Sequence, residues 1–230
     1  MQLVHLGVIP DGNRRYAKKH SLSLEQAYSR GFKKAEDVLE WAAEQSIKKT
    51  SFWALSLENL FKRSTGEKRV LFSLMEKHAR KSIESKVFQE KNVKVKFFGK
   101  LELLPKSLVE LLEKLEEKTE NGLYQLNVAL AYGGREELAN AAKLFAKDVV
   151  EGKMKEGDLS EETFANYLYL KDSPDLLIRT GGVQRISGFL PFQSVYSEYY
   201  FSPKLWPEFD KQEFGKAVEY YYSTDRRFGK

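Results

Sequence analysis

The sequence predicts an α/β fold, with a single domain over residues 1–230 and a mostly parallel six-stranded sheet flanked by helices. Short apolar runs alternate along the chain with longer segments of helical spacing, as in folds built from repeated strand–helix units. No internal repeat, low-complexity tract or Pro/Gly/Ser linker divides the 230 residues, of which 42% are hydrophobic. This length and composition suit one large domain with a substantial core.

Six short apolar runs are the predicted strands. The run "VKVKFF" alternates, as a half-exposed strand does, whereas "LNVALAY" is almost continuously apolar, as expected of a buried strand. In chain order, the predicted strands are Val4–Ile9, Ser51–Leu55, Val93–Phe98, Leu126–Ala131, Leu176–Arg179 and Tyr199–Phe201. Because ligands of parallel sheets collect at the carboxyl ends of the strands, the residues directly after these runs are the first candidates for function.

Helical patterns fill the intervals between these strands. One apolar face at helical spacing comprises Phe32, Ala35, Val38, Leu39 and Ala42. A second face begins with Val70, Leu71, Leu74 and Met75 and continues through Ile83 and Val87. A third segment, residues 107–122, closes on Asn121-Gly122, a typical helix end, and a fourth follows Gly134.

Composition narrows the class of protein and its partners. Lysine and arginine number 38 against 33 aspartates and glutamates, an excess that suits an anionic partner, although an ordinary solvated surface explains it equally well. The chain has no cysteine, which excludes thiol nucleophiles and disulfides, and its three histidines lack metal-ligand spacing. Since no run approaches the ~18 apolar residues of a membrane span and no signal-peptide pattern is present, we expect a soluble, cytoplasmic protein.

The stretch "GVIPDGNRRYAKK" joins the first strand to a helix and has the residues of a phosphate site. Gly12 lets the backbone approach a ligand closely, and Arg14 and Arg15 can each form paired hydrogen bonds with phosphate oxygens. Asp11 would repel an anion unless it holds Mg²⁺, which then bridges carboxylate and phosphate. The alternative is a β-turn built on Asp-Gly with solvated arginines.

Two further clusters follow predicted strands, and one further candidate precedes a strand. In "SLENLFKR", the polar candidates are Ser56, Glu58, Asn59 and Arg63, although Ser56 could instead be a helix N-cap. In "LIRTGGVQRIS", Arg179, Arg185 and Ser187 surround a Gly-Gly loop that could bind a second diphosphate. The loop lacks the spacing of a Walker A nucleotide-binding motif, and the alternative is a surface turn with solvated arginines. Glu198 precedes a short apolar strand, where a carboxylate is costly unless exposed, paired or bound to metal.

Taken together, these clusters resemble the cis-prenyltransferases, the undecaprenyl diphosphate synthase family. The matching segments occur in family order over nearly the whole chain: "PDGNRRYAKK", "ALSLENLFKRS", "LNVALAYGGREEL", "DLLIRTGG", "RISGFLPFQ", "SEYYFSPKLWPEFD" and "RRFG". Any one of these segments is weak evidence, but the ordered set is highly specific. The resemblance implies a Mg²⁺-dependent homodimer that condenses isopentenyl diphosphate with an allylic prenyl diphosphate and accepts the growing chain in an apolar tunnel.

The resemblance also implies a role for each candidate residue. Asp11 and Glu198 would hold Mg²⁺, and Asn13, Ser56 and Asn59 would serve catalysis with Asp11. The allylic diphosphate would be bound by Gly12, Asn13, Arg14, Arg15 and Tyr16, with Ser56, Glu58 and Arg63 as further substrate contacts. Isopentenyl diphosphate would be bound by Arg179, Arg185 and Ser187. Arg227, Phe228 and Gly229 match a terminal motif that reaches into the partner subunit's site, and the two apolar helix faces would wall the tunnel.

The chain departs from the family pattern at three positions. Leu24 and Tyr28 fall where the family usually has an arginine and a histidine that contact phosphate, and Val183 falls where a glutamate is common. These departures leave open a short-chain or irregular condensation on the same fold. A silent subunit of a heteromeric enzyme is a second alternative, although the retained Asp11 loop favours activity. A nucleic-acid-binding domain is a third alternative, but only "YYYSTDRR" hints at it, and we expect no nucleic-acid partner. Because the product would be a lipid, a peripheral association with a membrane stays open.

Overall fold

The computed structural model describes residues 2–224 and contains the predicted α/β fold. All strand pairs in its six-stranded sheet are parallel, in the order β3-β4-β2-β1-β5-β6. The strands are β1 (His5–Ile9), β2 (Lys49–Trp53), β3 (Val93–Phe98), β4 (Tyr124–Ala129), β5 (Leu176–Arg179) and β6 (Glu198–Phe201). Every run predicted from apolar patterning therefore corresponds to a strand of one sheet.

Helices connect the strands, as parallel pairing requires. Their bounds are α1 (Asn13–Lys19), α2 (Leu24–Glu44), α3 (Leu57–Lys62), α4 (Thr65–Ser85), α5 (Val87–Glu90), α6 (Lys106–Thr119), α7 (Gly134–Val150), α8 (Glu161–Ala165) and α9 (Lys211–Ser223). Local signals fix several starts: Ser23, Ser56 and Ser64 each accept a backbone hydrogen bond from the residue three positions on, the usual N-cap geometry.

Several predicted boundaries were wrong: β2, predicted as Ser51–Leu55, spans Lys49–Trp53, and two other errors occur beside residues with a positive φ. The pattern that joined Val70 to Val87 is divided, because Lys86 adopts a left-handed conformation (φ 53°) that ends α4 and places Val87 in α5. The strand predicted to reach Ala131 ends at Ala129 instead, since Ala131 also has a positive φ of 48° and turns the chain away from the ladder. Both errors come from backbone conformations that apolar periodicity does not report.

The strand order creates a crevice beside β1. The chain passes from β1 to β2 on one side, whereas the connection from β4 crosses back past both strands to β5 on the other side. Such a reversal leaves a space at the carboxyl ends of the strands, which is where α/β sheets bind ligands. The segments after β1, β2 and β5 all end at this edge.

Below that edge, the sheet interior contains a small polar network. His5 Nε2 lies 2.7 Å from Ser51 Oγ, to which Asn127 Nδ2 donates at 3.0 Å. These side chains belong to β1, β2 and β4 and are fully buried. Burial lowers the pKa of His5 to about 4, so the ring is neutral near pH 7.

None of the helices within residues 2–224 combines the length and apolar composition that crossing a bilayer requires.

Candidate active site

The carboxylate of Asp11 lies between two guanidinium groups at the end of β1. Its Oδ1 accepts from Arg15 Nη2 and its Oδ2 from Arg179 Nη2, each at 2.9 Å. Arg15 is one turn along α1, whereas Arg179 ends β5. Arg15 also donates through Nη1 to the backbone oxygen of Gly181 at 2.7 Å, so the loops after β1 and β5 are joined through this one side chain.

The backbone of Asp11 is fixed as firmly as its side chain. Its carbonyl oxygen accepts from Thr180 Oγ1 at 2.8 Å and from the backbone N–H of Trp206 at 3.0 Å. The next residue, Gly12, has φ 123°, a conformation that side-chain-bearing residues rarely adopt. The sharp turn from β1 into α1 thus depends on a glycine and on two distant chain segments.

Arg179 organises the loop that follows β5. Its Nη1 donates to the hydroxyl of Ser187 at 2.8 Å and to the backbone oxygen of Arg185 at 2.6 Å. Arg185 Nε reaches the same hydroxyl at 3.2 Å. Ser187 has a positive φ of 52°, an unfavourable conformation for a serine that often marks a functional loop. The three residues predicted for the second diphosphate therefore form one connected group.

A buried carboxylate anchors the far end of this loop. Glu137, at the start of α7, accepts from the hydroxyl of Tyr132 at 2.6 Å, the backbone N–H of Tyr169 at 2.9 Å and Gln193 Nε2 at 3.2 Å. The backbone N–H of Leu190 in turn donates to the Tyr132 hydroxyl at 3.2 Å. Burial raises the pKa of Glu137, opposed by these hydrogen bonds.

The residues after β2 form the third side of the site. Ser56 Oγ accepts from the backbone N–H of Asn59 at 3.0 Å, so the helix-cap interpretation of Ser56 is confirmed. Glu58 is ion-paired with Lys62 on the exposed face of α3. Across the crevice, Asn13 Oδ1 is buried and accepts no hydrogen bond from any residue in 2–224. Gly31 on α2 makes room for it, because a Cβ there would lie only 2.5 Å from this oxygen.

A cavity of about 650 Å³ opens at these loops. Its lining combines polar side chains from the segments after β1, β2 and β5 with mainly apolar side chains from α2 and α4. The polar lining includes Asp11, Gly12, Asn13, Arg14, Arg15, Ser56, Glu58, Asn59, Arg63, Arg179, Arg185 and Ser187 near the strand ends, and Glu36, His78 and Ser82 on α2 and α4. The apolar lining includes Phe32, Ala35 and Leu39 of α2 and Leu71, Met75 and Ala79 of α4, so the two predicted helix faces do line it.

Two predicted binding residues are not among the described residues that line this cavity. Tyr16 is buried on α1, and its hydroxyl accepts from Arg30, whose guanidinium lies 5.6 Å from the ring centroid. Glu198 begins β6, where it pairs in register with Leu176, whereas the site lies at the Arg179 end, about 10 Å further along the strand at 3.3 Å per residue. The structure thus does not bring either residue to Asp11, and the roles of both stay predictions.

The terminal residues Arg227, Phe228 and Gly229 lie outside the described residues, and their predicted role is untested. Among the departures from the family pattern, Leu24 packs partly buried against two apolar clusters. Tyr28 is buried, and its hydroxyl donates to Glu67 Oε1 at 2.6 Å. Burial and this hydrogen bond raise the pKa of Tyr28 to about 12.

Sequence analysis missed several residues that shape the site. Thr180 and Trp206 hold the Asp11 carbonyl, and Trp206 Nε1 also donates to the backbone oxygen of Gly31 at 2.9 Å. Thr180 directly follows the predicted Arg179 and could have been found there. Trp206 and Glu137 lie within two of the segments that match the family, but sequence analysis did not single them out, because their contacts with Asp11, Tyr169 and Gln193 join distant positions. Glu67 was missed because its contact with Tyr28 spans 39 positions.

Among the described residues, Asp11 is the predicted metal ligand that lies at the cavity and fits a magnesium ion. Within residues 2–224, no group of three or more acidic or histidine side chains is placed to hold a metal. The carboxylate of Asp11 lies among the arginines, and its side chain is 32% exposed to solvent. Because Mg²⁺ is commonly held by one or two carboxylates together with substrate phosphates, Asp11 fits a metal ion that arrives with a diphosphate.

Comparison with known proteins agrees with the resemblance found in the sequence. The family model of undecaprenyl diphosphate synthases matches residues 9–229. The chain is 42% identical over 230 residues to the tritrans,polycis-undecaprenyl-diphosphate synthase (geranylgeranyl-diphosphate specific) of Thermoplasma acidophilum, covering 98% of this chain and 88% of that protein. It is 42% identical over 240 residues to the isoprenyl transferase of Thermus thermophilus, with 98% and 88% covered.

A solved structure gives the same result for the fold. Lavandulyl diphosphate synthase from Lavandula x intermedia, crystallised with dimethylallyl diphosphate, superimposes with a TM-score of 0.93 at 32% identity. The alignment covers 98% of both chains. The described fold is therefore shared over essentially the full length.

Proposed function

Since this chain belongs to the undecaprenyl diphosphate synthase family and is a prenyltransferase, we propose that it condenses isopentenyl diphosphate with an allylic prenyl diphosphate to make a (poly)prenyl diphosphate. The observation that carries the proposal is the cavity at the ends of β1, β2 and β5. Two groups of arginines meet at Asp11 in its mouth, and apolar walls extend behind them. The arginines suit the diphosphate of a prenyl diphosphate, and the apolar walls suit its hydrocarbon chain.

The residues at the mouth would stabilise the leaving diphosphate. Cleavage of the allylic C–O bond transfers negative charge to the diphosphate, and guanidinium groups bind such charge with paired hydrogen bonds. Arg14 and Arg15 would hold the allylic head, while Arg179, Arg185 and Ser187 would hold isopentenyl diphosphate. When bound through Asp11, Mg²⁺ would add Lewis-acid stabilisation of the same charge.

The apolar walls would protect the carbocation that remains. Water in the cavity would capture an allylic cation, so excluding water favours attack by the isopentenyl double bond. Phe32 and Leu71 face the cavity behind the arginines. After carbon–carbon bond formation, a proton must leave. Asn13 and Ser56, which line the cavity with Asn59, would relay it to a diphosphate oxygen. Neither side chain is a strong base, so the diphosphate itself is the proposed acceptor.

The size of the cavity favours a long primer and regular elongation. Tyr28 and Leu39, both on α2 and both in the lining, are about 16 Å apart along the helix axis at 1.5 Å per residue. A five-carbon primer would occupy only the entrance of such a space. We therefore propose a geranylgeranyl-like primer, as the name of the Thermoplasma relative states for that protein. Irregular condensation of short units, the alternative raised by the lavandulyl diphosphate synthase fold, would leave the depth of the cavity unused.

The assembly and location are proposed from the family resemblance. We propose that the enzyme works as a homodimer in the cytoplasm, with Arg227 and Gly229 reaching the partner subunit's site. A lipid product would draw the enzyme to a membrane surface as a peripheral protein.

One assay tests these proposals together. The purified protein is incubated with Mg²⁺, labelled isopentenyl diphosphate and either dimethylallyl or geranylgeranyl diphosphate, and products are separated by length and linkage. We expect extended, regularly linked products from geranylgeranyl diphosphate and little from dimethylallyl diphosphate. Branched products from dimethylallyl diphosphate alone would favour irregular condensation, and no incorporation with either primer would favour a silent subunit.

A further inference from the structure

Three side chains form a compact cluster on the wall of the cavity between α2 and α4. The Tyr28 hydroxyl donates to Glu67 Oε1 at 2.6 Å, and Arg63 Nε lies 3.2 Å from the same oxygen. The guanidinium carbon of Arg63 is 5.5 Å from the centroid of the Tyr28 ring, within cation–π range. The side chains of Arg63 and Glu67 are only 11% and 10% exposed.

The backbone under this cluster is fixed at both helix ends. Arg63 is the C-cap of α3, and its N–H donates to the carbonyl of Asn59 at 3.0 Å. Glu67 lies in the first turn of α4, and its N–H donates to Ser64 Oγ at 3.2 Å. Since Tyr28 is neutral at ordinary pH, its hydroxyl remains a donor to Glu67. The position of the guanidinium is therefore determined by three elements at once.

The charge of Arg63 is nevertheless incompletely paired. Its Nε and Nη1 atoms are buried and donate no hydrogen bond to any described residue, because the approach to Glu67 lacks hydrogen-bond geometry. A buried guanidinium N–H group that lacks a hydrogen-bond acceptor costs free energy, and its strongest acceptors are anions. Arg63 and Tyr28 line the cavity together with Arg14, whose charge acts on the Tyr28 hydroxyl. This arrangement suits a further anion on the same wall.

We infer that Glu67 is a positioning residue for the diphosphate of the allylic primer: with Tyr28 it holds the Arg63 guanidinium where a primer phosphate oxygen supplies its missing acceptor. The inference rests on the proposed function. The primer is the substrate concerned because Phe32 and Leu71, which line the apolar part, follow Tyr28 and Glu67 on the same two helices. Arg179, Arg185 and Ser187 form the separate group proposed for isopentenyl diphosphate.

The cluster also accounts for the departures at positions 24 and 28. Leu24 provides no cation to the site, and Tyr28 cannot carry the positive charge of a histidine. Arg63, directly after α3, is a cation that remains on this wall, and the Tyr28 ring lies within cation–π range of its guanidinium. A tyrosine at position 28 is thus a working part of the primer site, acting through Arg63.

Equilibrium binding tests the inference without relying on turnover. Calorimetry measures the affinity of geranylgeranyl diphosphate and of isopentenyl diphosphate, each alone, for the wild type, Arg63→Ala, Glu67→Gln and Tyr28→Phe. Lys62→Ala is the matched control, because Lys62 is the adjacent cation on α3 but is 71% exposed and paired with Glu58. Thermal unfolding of each variant reports any change in stability.

We expect Arg63→Ala to weaken primer binding about 10- to 100-fold, the loss of a charge-assisted contact. Glu67→Gln and Tyr28→Phe should each weaken primer binding about 3- to 10-fold. A variant that combines both substitutions, measured in the same way, should lose less than the product of the two effects, because both act through Arg63. Isopentenyl diphosphate affinity should stay within about twofold in all of them, and Lys62→Ala should bind both substrates as the wild type does.

Four results would overturn the inference. Glu67→Gln with unchanged or tighter primer binding would show that the carboxylate is only a helix-end ion pair or opposes the anion. An equal loss for both substrates, or a changed unfolding temperature with unchanged affinities, would show a purely structural role. Failure of the wild type to bind the primer would remove both proposals, whereas binding with the expected variant effects but no product formation would contradict the proposed reaction alone.

Discussion

At the scale of single residues, the decisive contact is a carboxylate shared by two arginines from different parts of the chain. Sequence analysis could predict Asp11, Arg15 and Arg179, because each lies at or shortly after the carboxyl end of an apolar strand and each has a side chain suited to metal or phosphate. It could not predict that Thr180 and Trp206 fix the Asp11 carbonyl, since those hydrogen bonds join positions that only the folded chain brings together. Local chemistry marks the residues that bind, but not those that hold them in place.

We predict that Asp11→Asn lowers kcat/KM about 100- to 1,000-fold, equivalent to about 3–4 kcal/mol, because the amide keeps the shape of the carboxylate but loses the charge that would hold a metal. The carbonyl of residue 11 keeps its hydrogen bonds to Thr180 and Trp206, so the unfolding temperature should change little. Asp37→Asn is the control, since it removes a carboxylate paired with Lys33 and Lys34 on the surface of α2. Near-normal Mg²⁺-dependent turnover of Asp11→Asn would refute the metal assignment.

At the scale of secondary-structure elements, apolar periodicity located every strand, and it failed where the backbone changed conformation. Lys86 and Ala131 interrupt elements that their side chains alone would continue. The pattern was equally silent about polar residues inside the sheet, such as His5, because an isolated histidine between apolar residues resembles a surface position. Its burial depends on β2 and β4 lying beyond it.

We predict that the network of His5, Ser51 and Asn127 makes stability depend on pH. Because the folded pKa of His5, about 4, is below its ordinary value of 6.5, the unfolded chain binds the proton first as pH falls. This contribution is complete above pH 6.5 and is lost toward pH 4, at up to about 1.4 kcal/mol per pH unit. Denaturant unfolding at several pH values should therefore show a smaller loss between pH 6.5 and 4 for His5→Gln than for the wild type. Parallel curves for the two proteins would contradict this account.

At the scale of the whole molecule, the order of the strands brings the separate motifs to one edge. The segments after β1, β2 and β5 meet because the strand order reverses beside β1. The sequence predicts that they meet, since parallel sheets bind ligands at the carboxyl ends of their strands. The same topology leaves Glu198 at the opposite end of its strand. Its position at the start of the strand could be predicted from the sequence, whereas its register opposite Leu176 could not, because that is set by the pairing of β6 with β5.

We predict that each active site is completed across a dimer. Deleting residues 227–230 should abolish activity without unfolding the domain, and mixing the truncated protein with Asp11→Ala should restore part of it. In a mixed dimer, one site would combine an intact Asp11 with an intact partner tail. Activity of the mixture and its composition by native mass spectrometry are measured together; a confirmed mixed dimer without activity would count against a tail that acts in trans.

The hydrogen bonds on the Asp11 carbonyl also have a consequence for how the protein acquires its activity. The bond from Thr180 spans 169 positions of the chain, and the bond from Trp206 spans more. Contacts between such distant segments form late, because the entropy of closing a long loop must be overcome first. During refolding, or on the ribosome, helices α1 to α7 can form while the turn after β1 still lacks both of its anchors. Recovery of catalysis should therefore lag behind recovery of helical signal, and a chain released before β6 has formed would be largely folded but inactive.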